Sequence, residues 1–285
     1  MRYSWVQTGL VGLLAVGMLA GCGASGSRGT ENGVGLALET PSELRGAKLL
    51  YQRADGIYLR TLGRGGPRCL AANGAWPRWA PGGKSFVFLR GNQIVLFDLA
   101  TMAERVVAEV AQARTVAFHP DGRQVLVADG KSVKSIALAD GRSELLVSGP
   151  VFYELDVASS GEFFVGTVKS LGYRVRRYAV PSGASTELGR GCSASVSPDG
   201  RLATINVDGH HKLKLVDAQT GKVQQRLMAP EGVQLDNQKW SNHSGWIAGI
   251  VEGEAQNIVV QRVSDGRVWR VTDEGDGDRP DLWVE

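Results

Sequence analysis

No stretch of this 285-residue chain is apolar for long enough to cross a bilayer. The longest such run, Leu10 to Ala20, has eleven residues, against the roughly 20 that a spanning helix needs. An excess of one charge is also lacking. The formal net charge is +3, Arg2 would be lost with a leader, and Arg174, Arg176 and Arg177 are read as the solvated face of one strand rather than a basic tract. That balance argues against nucleic acid as a partner. There is no Gly-x-Ser-x-Gly elbow, and after residue 46 no amphipathic helix of ordinary length with caps, so an accompanying hydrolase domain is excluded.

Histidine and cysteine are scarce, at 4 and 3 residues. His119 lies in a Pro-Asp-Gly turn and reads as a surface turn residue. His210 and His211 are adjacent and, if extended, point to opposite faces, so metal binding through both is not expected without a nearby carboxylate or third histidine to complete the set. Asp121, Asp199 and Asp208 belong to turns, where Asp satisfies local backbone groups. No catalytic, cofactor or metal residue is therefore assigned. After Cys22, only Cys69 and Cys192 remain. They fall in an outer strand and an inner strand of distant repeats, beyond the reach of a disulfide, and are expected as buried thiols.

The amino terminus reads as a leader. Met1 to Gly21 has a weakly basic start and a short apolar core, as a signal peptide does. Leu19-Ala20-Gly21-Cys22 resembles a bacterial lipobox, which implies acylation of Cys22 and cleavage before it. Gly23, where an inner-membrane retention signal would have Asp, implies the outer membrane, facing the periplasm, if the host is Gram-negative. Residues 22–46 are rich in Gly and Ser and read as a flexible tether. About 24 such residues reach roughly 25–30 Å.

What the rest of the chain has is a repeat. Phe118-His119-Pro120-Asp121-Gly122-Arg123 is a strand end and tight turn, followed by the apolar strand Gln124-Val125-Leu126-Val127. With the apolar residue before the turn as marker, the motif recurs at Trp79, Phe118, Val157, Val196 and Trp240, at separations of 39, 39, 39 and 44 residues. A period near forty with strand–turn–strand content indicates a β-propeller, one four-stranded antiparallel blade per repeat. The strand after the turn occurs six times, first as Lys48-Leu49-Leu50-Tyr51, but only five copies have a marker strand before them. The sixth is supplied at the other terminus, where Arg279-Pro280-Asp281-Leu282-Trp283 resembles Trp76-Pro77-Arg78-Trp79. The all-β domain is thus read as residues 47–285, six blades closed by the C-terminal strand, with seven blades as the alternative count.

These blocks resemble the propeller of TolB-type proteins, whose repeat reads approximately Trp-Ser-Pro-Asp-Gly, an apolar strand, then Ile-Tyr. Trp240-Ser241, Val196-Ser197-Pro198-Asp199-Gly200 and Gly56-Ile57-Tyr58 match parts of it. Trp is kept at two of the five internal markers, and Val157-Ala158-Ser159-Ser160 has lost both Pro and Asp. Ile94-Val95-Leu96-Phe97-Asp98-Leu99 resembles a WD-type third strand, without that repeat's Gly-His and Trp-Asp signatures. The resemblance implies a protein-binding or scaffolding module of the cell envelope, with envelope proteins as partners and no cofactor. A propeller enzyme acting on glycans or peptides, a lyase or hydrolase, is the alternative.

Propellers commonly bind through the loops that lead into the inner strands. Four residues before each marker stand Ala75, Arg114, Tyr153, Cys192 and Asp236, with Arg279 in the like place before Trp283. Trp76, Arg114, Tyr153, Asp236 and Arg279 are therefore expected to ring one mouth of the channel, since aromatic and Arg side chains anchor interfaces. The other reading is that they pair with one another and plug it.

Overall fold

Side-chain alternation decides where each strand sits. Phe86, Val87, Phe88 and Leu89 are apolar and buried on both faces, as a strand clamped between two neighbouring sheets must be. Two strands further out, Ala103–Glu109 is exposed along most of its length. The computed structural model describes residues 36–285. These form 23 strands and one 3-10 turn, Ser42–Leu44, arranged as six antiparallel sheets. No helix among the described residues is long and apolar enough to cross a membrane. Cys22 and the leader lie outside the described residues.

Blade two runs Ala75–Trp79, Ser85–Arg90, Gln93–Asp98 and Ala103–Glu109 from channel to rim. Blades three, four and six repeat this order from Thr115–Phe118, Val151–Val157 and Leu235–Trp240. Blade one takes its inner strand, Asp278–Trp283, from the C-terminus and continues through Lys48–Arg53, Gly56–Thr61 and Arg64–Ala72. The closing pair is antiparallel, with Lys48 opposite Trp283, Leu49 opposite Leu282 and Leu50 opposite Asp281. The ring therefore has six blades, closed as the repeat count requires.

Blade five departs locally. It has three regular strands, Leu202–Val207, Lys212–Asp217 and Val223–Met228, and its inner segment pairs only through isolated bridges, Cys192 to Asn206 and Val196 to Ala203. Between them the Thr204 hydroxyl enters the ladder. Ser195 N–H donates to Thr204 Oγ1 at 2.9 Å, and that hydroxyl lies 2.5 Å from the Ser193 carbonyl. Ser193 itself has φ of 57°.

Three expectations need correction. Trp283 does not hold the marker place: Leu282 opposite Leu49 corresponds to Trp79 opposite Phe86, so Trp283 corresponds to Ala80 and Arg279 to Trp76. Asp281 therefore matches Arg78 directly, and no residue is inserted between Pro280 and the marker. Residues 36–46 are not free of the domain. Glu39 N–H donates to the Arg270 carbonyl, Leu38 bridges the same residue, Leu44 is fully buried and Leu36 packs against the core of blade six. Finally, Cys69 is exposed, because it lies in the outermost strand of its blade.

The blades are held together by apolar side chains that alternate between two neighbours. Leu49 and Tyr51 pack with Leu282 against Trp246, Ala248, Ile250 and Trp269 of blade six. Leu50 turns the other way, to Trp79, Phe86 and Phe88 of blade two, where Trp283 also packs. Gly83, at φ 64°, lies under that indole; a Cβ there would come within 2.5 Å of the Trp283 ring, so both the turn and the close approach require glycine.

A chain ending at Pro280 would lose Leu282 and Trp283 from two inter-blade cores, at about 1.5–3 kcal/mol for each buried side chain, and would open a strand edge. Thermal unfolding should show a melting temperature lowered by well over 10 °C, or aggregation; melting within a few degrees of the intact chain would contradict closure.

Candidate binding channel

The position one residue before each marker faces the channel. It is occupied, blade by blade from one to six, by Asp281, Arg78, Ala117, Asp156, Ser195 and Lys239. The inner strands have no ladder partner on their channel side, so amides there need other acceptors. In three places the neighbouring blade supplies one. Trp79 N–H donates to Asp281 Oδ2 at 2.9 Å, Val196 N–H to Asp156 Oδ2 at 3.0 Å, and Trp240 N–H to Ser195 Oγ at 3.0 Å. The Trp79 indole N–H also donates to the Asp281 carbonyl.

All of these residues but Ser195 line a cavity of about 330 Å³ at the end of the channel formed by the turns after the markers. Arg78, Asp156, Lys239 and Asp281 lie at its base, and Pro81, Pro120, Asn242 and Trp283 are among the residues at its rim. Asp156 pairs with Lys239 at 2.9 Å and accepts the Ser195 hydroxyl at 2.6 Å. Burial pushes the Asp156 carboxyl up, but Lys239 and the donated hydrogen bonds outweigh it and hold the group below its usual range. Burial prevails at Asp281, whose carboxyl is raised despite Lys239 and Arg78. Burial likewise lowers the Arg78 guanidinium, whose Nε has no hydrogen-bond partner.

Beyond this floor the channel narrows to a space of about 10 Å³ among Glu154, Asn237, Arg279 and their neighbours. Here, at the mouth made by the loops, the expected residues divide into groups. Arg279 stacks on Trp76, 4.0 Å from the ring centroid, pairs with Glu154 at 3.3 Å and donates to Asn237 Oδ1. Arg114, exposed, lies 5.9 Å from the Tyr153 centroid, and Tyr153 meets Tyr173 edge-on at 5.2 Å. Asp236 is buried and accepts the Ser193 hydroxyl at 3.0 Å. Trp76, Ser193, Asn237 and Arg279 have φ between 49° and 57°. A left-handed residue in a strand makes a bulge that re-aims its side chain, at a cost of about 1–3 kcal/mol each. Glu154 is raised by burial first, with Arg279 opposing and Asp236 adding to it.

The histidines are placed as follows. His119 stays in its turn, with Nδ1 3.1 Å from Asp121. His211 Nδ1 is 2.9 Å from the Val233 carbonyl. His210 lies beside Cys192, Asp236 and Glu252, carboxylates that are 26 and 42 positions distant in the chain, so no local spacing signalled them. Neither Cys69 nor Cys192 is in a disulfide. The channel-floor residues were also absent from the sequence expectation. Their signal is the run of polar residues one place before the marker, which the misplaced Trp283 register obscured at Asp281.

No family model matches the chain, and no curated protein matches it. Solved structures do. TolB from Acinetobacter baumannii superposes with a TM-score of 0.68 at 17% identity, covering 85% of this chain and 67% of its own. A putative TolB from Agrobacterium tumefaciens gives 0.67 at 15% identity, covering 81% and 90%. The fold is that of the TolB propeller. A chain of Kuenenia stuttgartiensis hydrazine synthase is also similar, with a TM-score of 0.56 at 16% identity over 72% of this chain and 68% of that one, so this fold occurs in an enzyme as well as in TolB, and function must be argued from the site.

Asp156 gives a test of the channel floor. Its folded pKa is depressed, so its stabilisation is complete above the unfolded carboxyl value of about 3.9 and is lost as pH falls through the folded value. Asp281 and Glu154 act oppositely, because their folded values are raised: their contribution is complete below the unfolded pKa and lost as pH rises through the folded one. Asp156→Asn leaves Lys239 without its charge partner and should cost about 3 kcal/mol at pH 7. Denaturant unfolding should show the gap between variant and wild type narrowing below about pH 4; an equal gap at pH 7 and pH 3 would contradict the assignment.

Proposed function

We propose that this chain is a protein-binding module of the cell envelope, carried at the membrane by lipid on Cys22, that receives an extended polypeptide segment in the turn-side cavity of its propeller. The observation that carries the reading is that cavity. Its volume of about 330 Å³ is too small for a folded partner and suits a few side chains of an extended one. The floor offers both charges, Arg78 and Lys239 against Asp156 and Asp281, and the rim offers Trp283 and three prolines, Pro81, Pro120 and Pro198. The two signs together suit a segment with polar groups of both kinds rather than a polyanion, in keeping with no role for nucleic acid. Arg114 and Tyr153 form a second contact region at the loop mouth, where Leu171, at the tip of the adjoining hairpin, is 90% exposed. Trp76 and Arg279 plug the channel at that mouth. The lipobox residues support the anchor, and the fold shared with TolB is compatible with an envelope role.

The enzyme reading retains one observation. Asp281 is raised and Asp156 lowered in the same cavity, the division of labour that an acid and a base require. Each is already engaged with a neighbouring blade, however, which favours binding.

A photo-crosslinking amino acid placed at Asn242, on the cavity rim, should capture a discrete partner in living cells. The same probe at Leu145, exposed on an outer strand, should not. Cys22→Ser should abolish acyl labelling and weaken the Asn242 adduct by releasing the domain from the membrane. Equal capture from both probe positions, or from neither, would contradict the cavity as the site.

A further inference from the structure

Three side chains distant in sequence converge beside the loop mouth at the junction of blades five and six. Cys192 Sγ is 3.5 Å from His210 Nε2 and 3.9 Å from Asp236 Oδ1, and the three donor atoms lie within 4.8 Å of one another. Cys192 and Asp236 are buried, at 3% and 6% exposure, and His210 is half-buried. A tetrahedral zinc ion, with a bond of about 2.3 Å to sulfur and 2.0–2.1 Å to nitrogen, holds those two donors about 3.5 Å apart.

The surroundings are also those of a ligand set. Glu252 Oε1 lies 2.8 Å from His210 Nδ1. A carboxylate there fixes the tautomer that presents Nε2 as a lone pair, as it does behind many metal-bound histidines. Ser193 orients Asp236. Directly opposite Cys192 in its antiparallel bridge is Asn206, which is 1% exposed and whose Oδ1 has no hydrogen-bond partner; its Nδ2 donates to the Leu235 carbonyl. Cross-strand partners share a face, so this unsatisfied oxygen stands on the cysteine side of the sheet.

We propose that Cys192, His210 and Asp236 form a mononuclear Zn²⁺ site, with Glu252 positioning His210 and the fourth coordination place open to water or to a partner's donor. One thiolate, one imidazole and one carboxylate suit zinc; magnesium and calcium take oxygen ligands. On binding, Cys192 releases its thiol proton to solvent and the sulfur bonds the metal. Cys192, His210 and Glu252 also have the order of a nucleophile, base and orienting carboxylate. A nucleophile needs room for substrate, and Cys192 lines neither cavity of the channel. The Asp236 carboxylate would also oppose a bare thiolate, whereas a divalent cation neutralises both. Donors from two blades make the ion a staple across the junction where the inner segment of blade five is irregular. The site is independent of the proposed binding cavity.

The test uses the full-length chain carrying Cys22→Ser and Cys69→Ser, so that Cys192 is its sole thiol, freed of metal by chelation. Elemental analysis after dialysis against Zn²⁺ should give one ion per chain. Co²⁺ should give tetrahedral visible bands and a sulfur-to-cobalt charge-transfer band. Adding Cys192→Ser or His210→Ala should remove them, Glu252→Gln should weaken binding about 10–100-fold, and His211→Ala should leave it unchanged. Zn²⁺ at 100-fold over its dissociation constant should raise the melting temperature by about 5–10 °C. Substoichiometric zinc, cobalt binding without the sulfur band, or alkylation of Cys192 that is rapid and indifferent to Zn²⁺ would overturn the proposal. The sulfur band of the Cys192-only chain decides this even if a ligand variant fails to fold.

Discussion

An inner strand of a propeller blade has one edge in its own ladder and the other turned towards strands it cannot pair with. Its outward amides must find acceptors or remain unsatisfied inside the molecule, at about 1–3 kcal/mol each. Here the acceptor is a side chain from the preceding blade: Asp281 for Trp79, Asp156 for Val196, Ser195 for Trp240. Apolar packing between blades is tolerant of small slides, because Leu, Val and Phe make no directional bonds. The amide-to-side-chain hydrogen bonds are directional, and at these three junctions they fix the register of one blade on the next. They also place polar groups around the axis, so the device that holds the ring together is what lines the cavity.

That double duty explains the electrostatics. Four ionisable groups on the channel floor is costly unless they are paired. Lys239 and the Ser195 and Val196 donors keep Asp156 ionised, whereas Asp281 gains less than burial takes from it. At the loop mouth Trp76, Ser193, Asn237 and Arg279 are left-handed, and Arg279, Trp76, Glu154 and Asn237 consume one another's bonding capacity. The channel is thus closed at one end by its own side chains and left open at the other, which gives it a polarity that the repeat alone does not imply.

The ring was legible in the sequence because its signal is periodic: equal spacing of Trp79, Phe118, Val157 and Val196, and an unpaired Lys48–Tyr51 strand that demanded a partner. Register within the closing strand was harder, since Leu282 and Trp283 are both large and apolar and only the pairing with Leu49 distinguishes them. The docking of residues 36–46 was hidden by the Gly- and Ser-rich composition of the residues before them, while Leu36 and Leu44 do the packing. The site was legible only in part. Arg279 and Trp76 were placed at the mouth, but that they would stack on each other depends on two backbone bulges. Cys192, His210 and Asp236 meet only once blades five and six are folded together, and nothing local in the chain reports that.

The account rests on side chains of one blade satisfying the inner-strand amides of the next. Residue-resolved hydrogen exchange measures this directly. The Trp79, Val196 and Trp240 amides should exchange as slowly as those buried in the second strands, such as Val87, and in Asp156→Asn the Val196 amide should accelerate beyond the common increase that the loss of global stability gives the Val87 and Trp79 amides. Exchange of these three amides at the rate of exposed turn residues in the wild-type chain would contradict it.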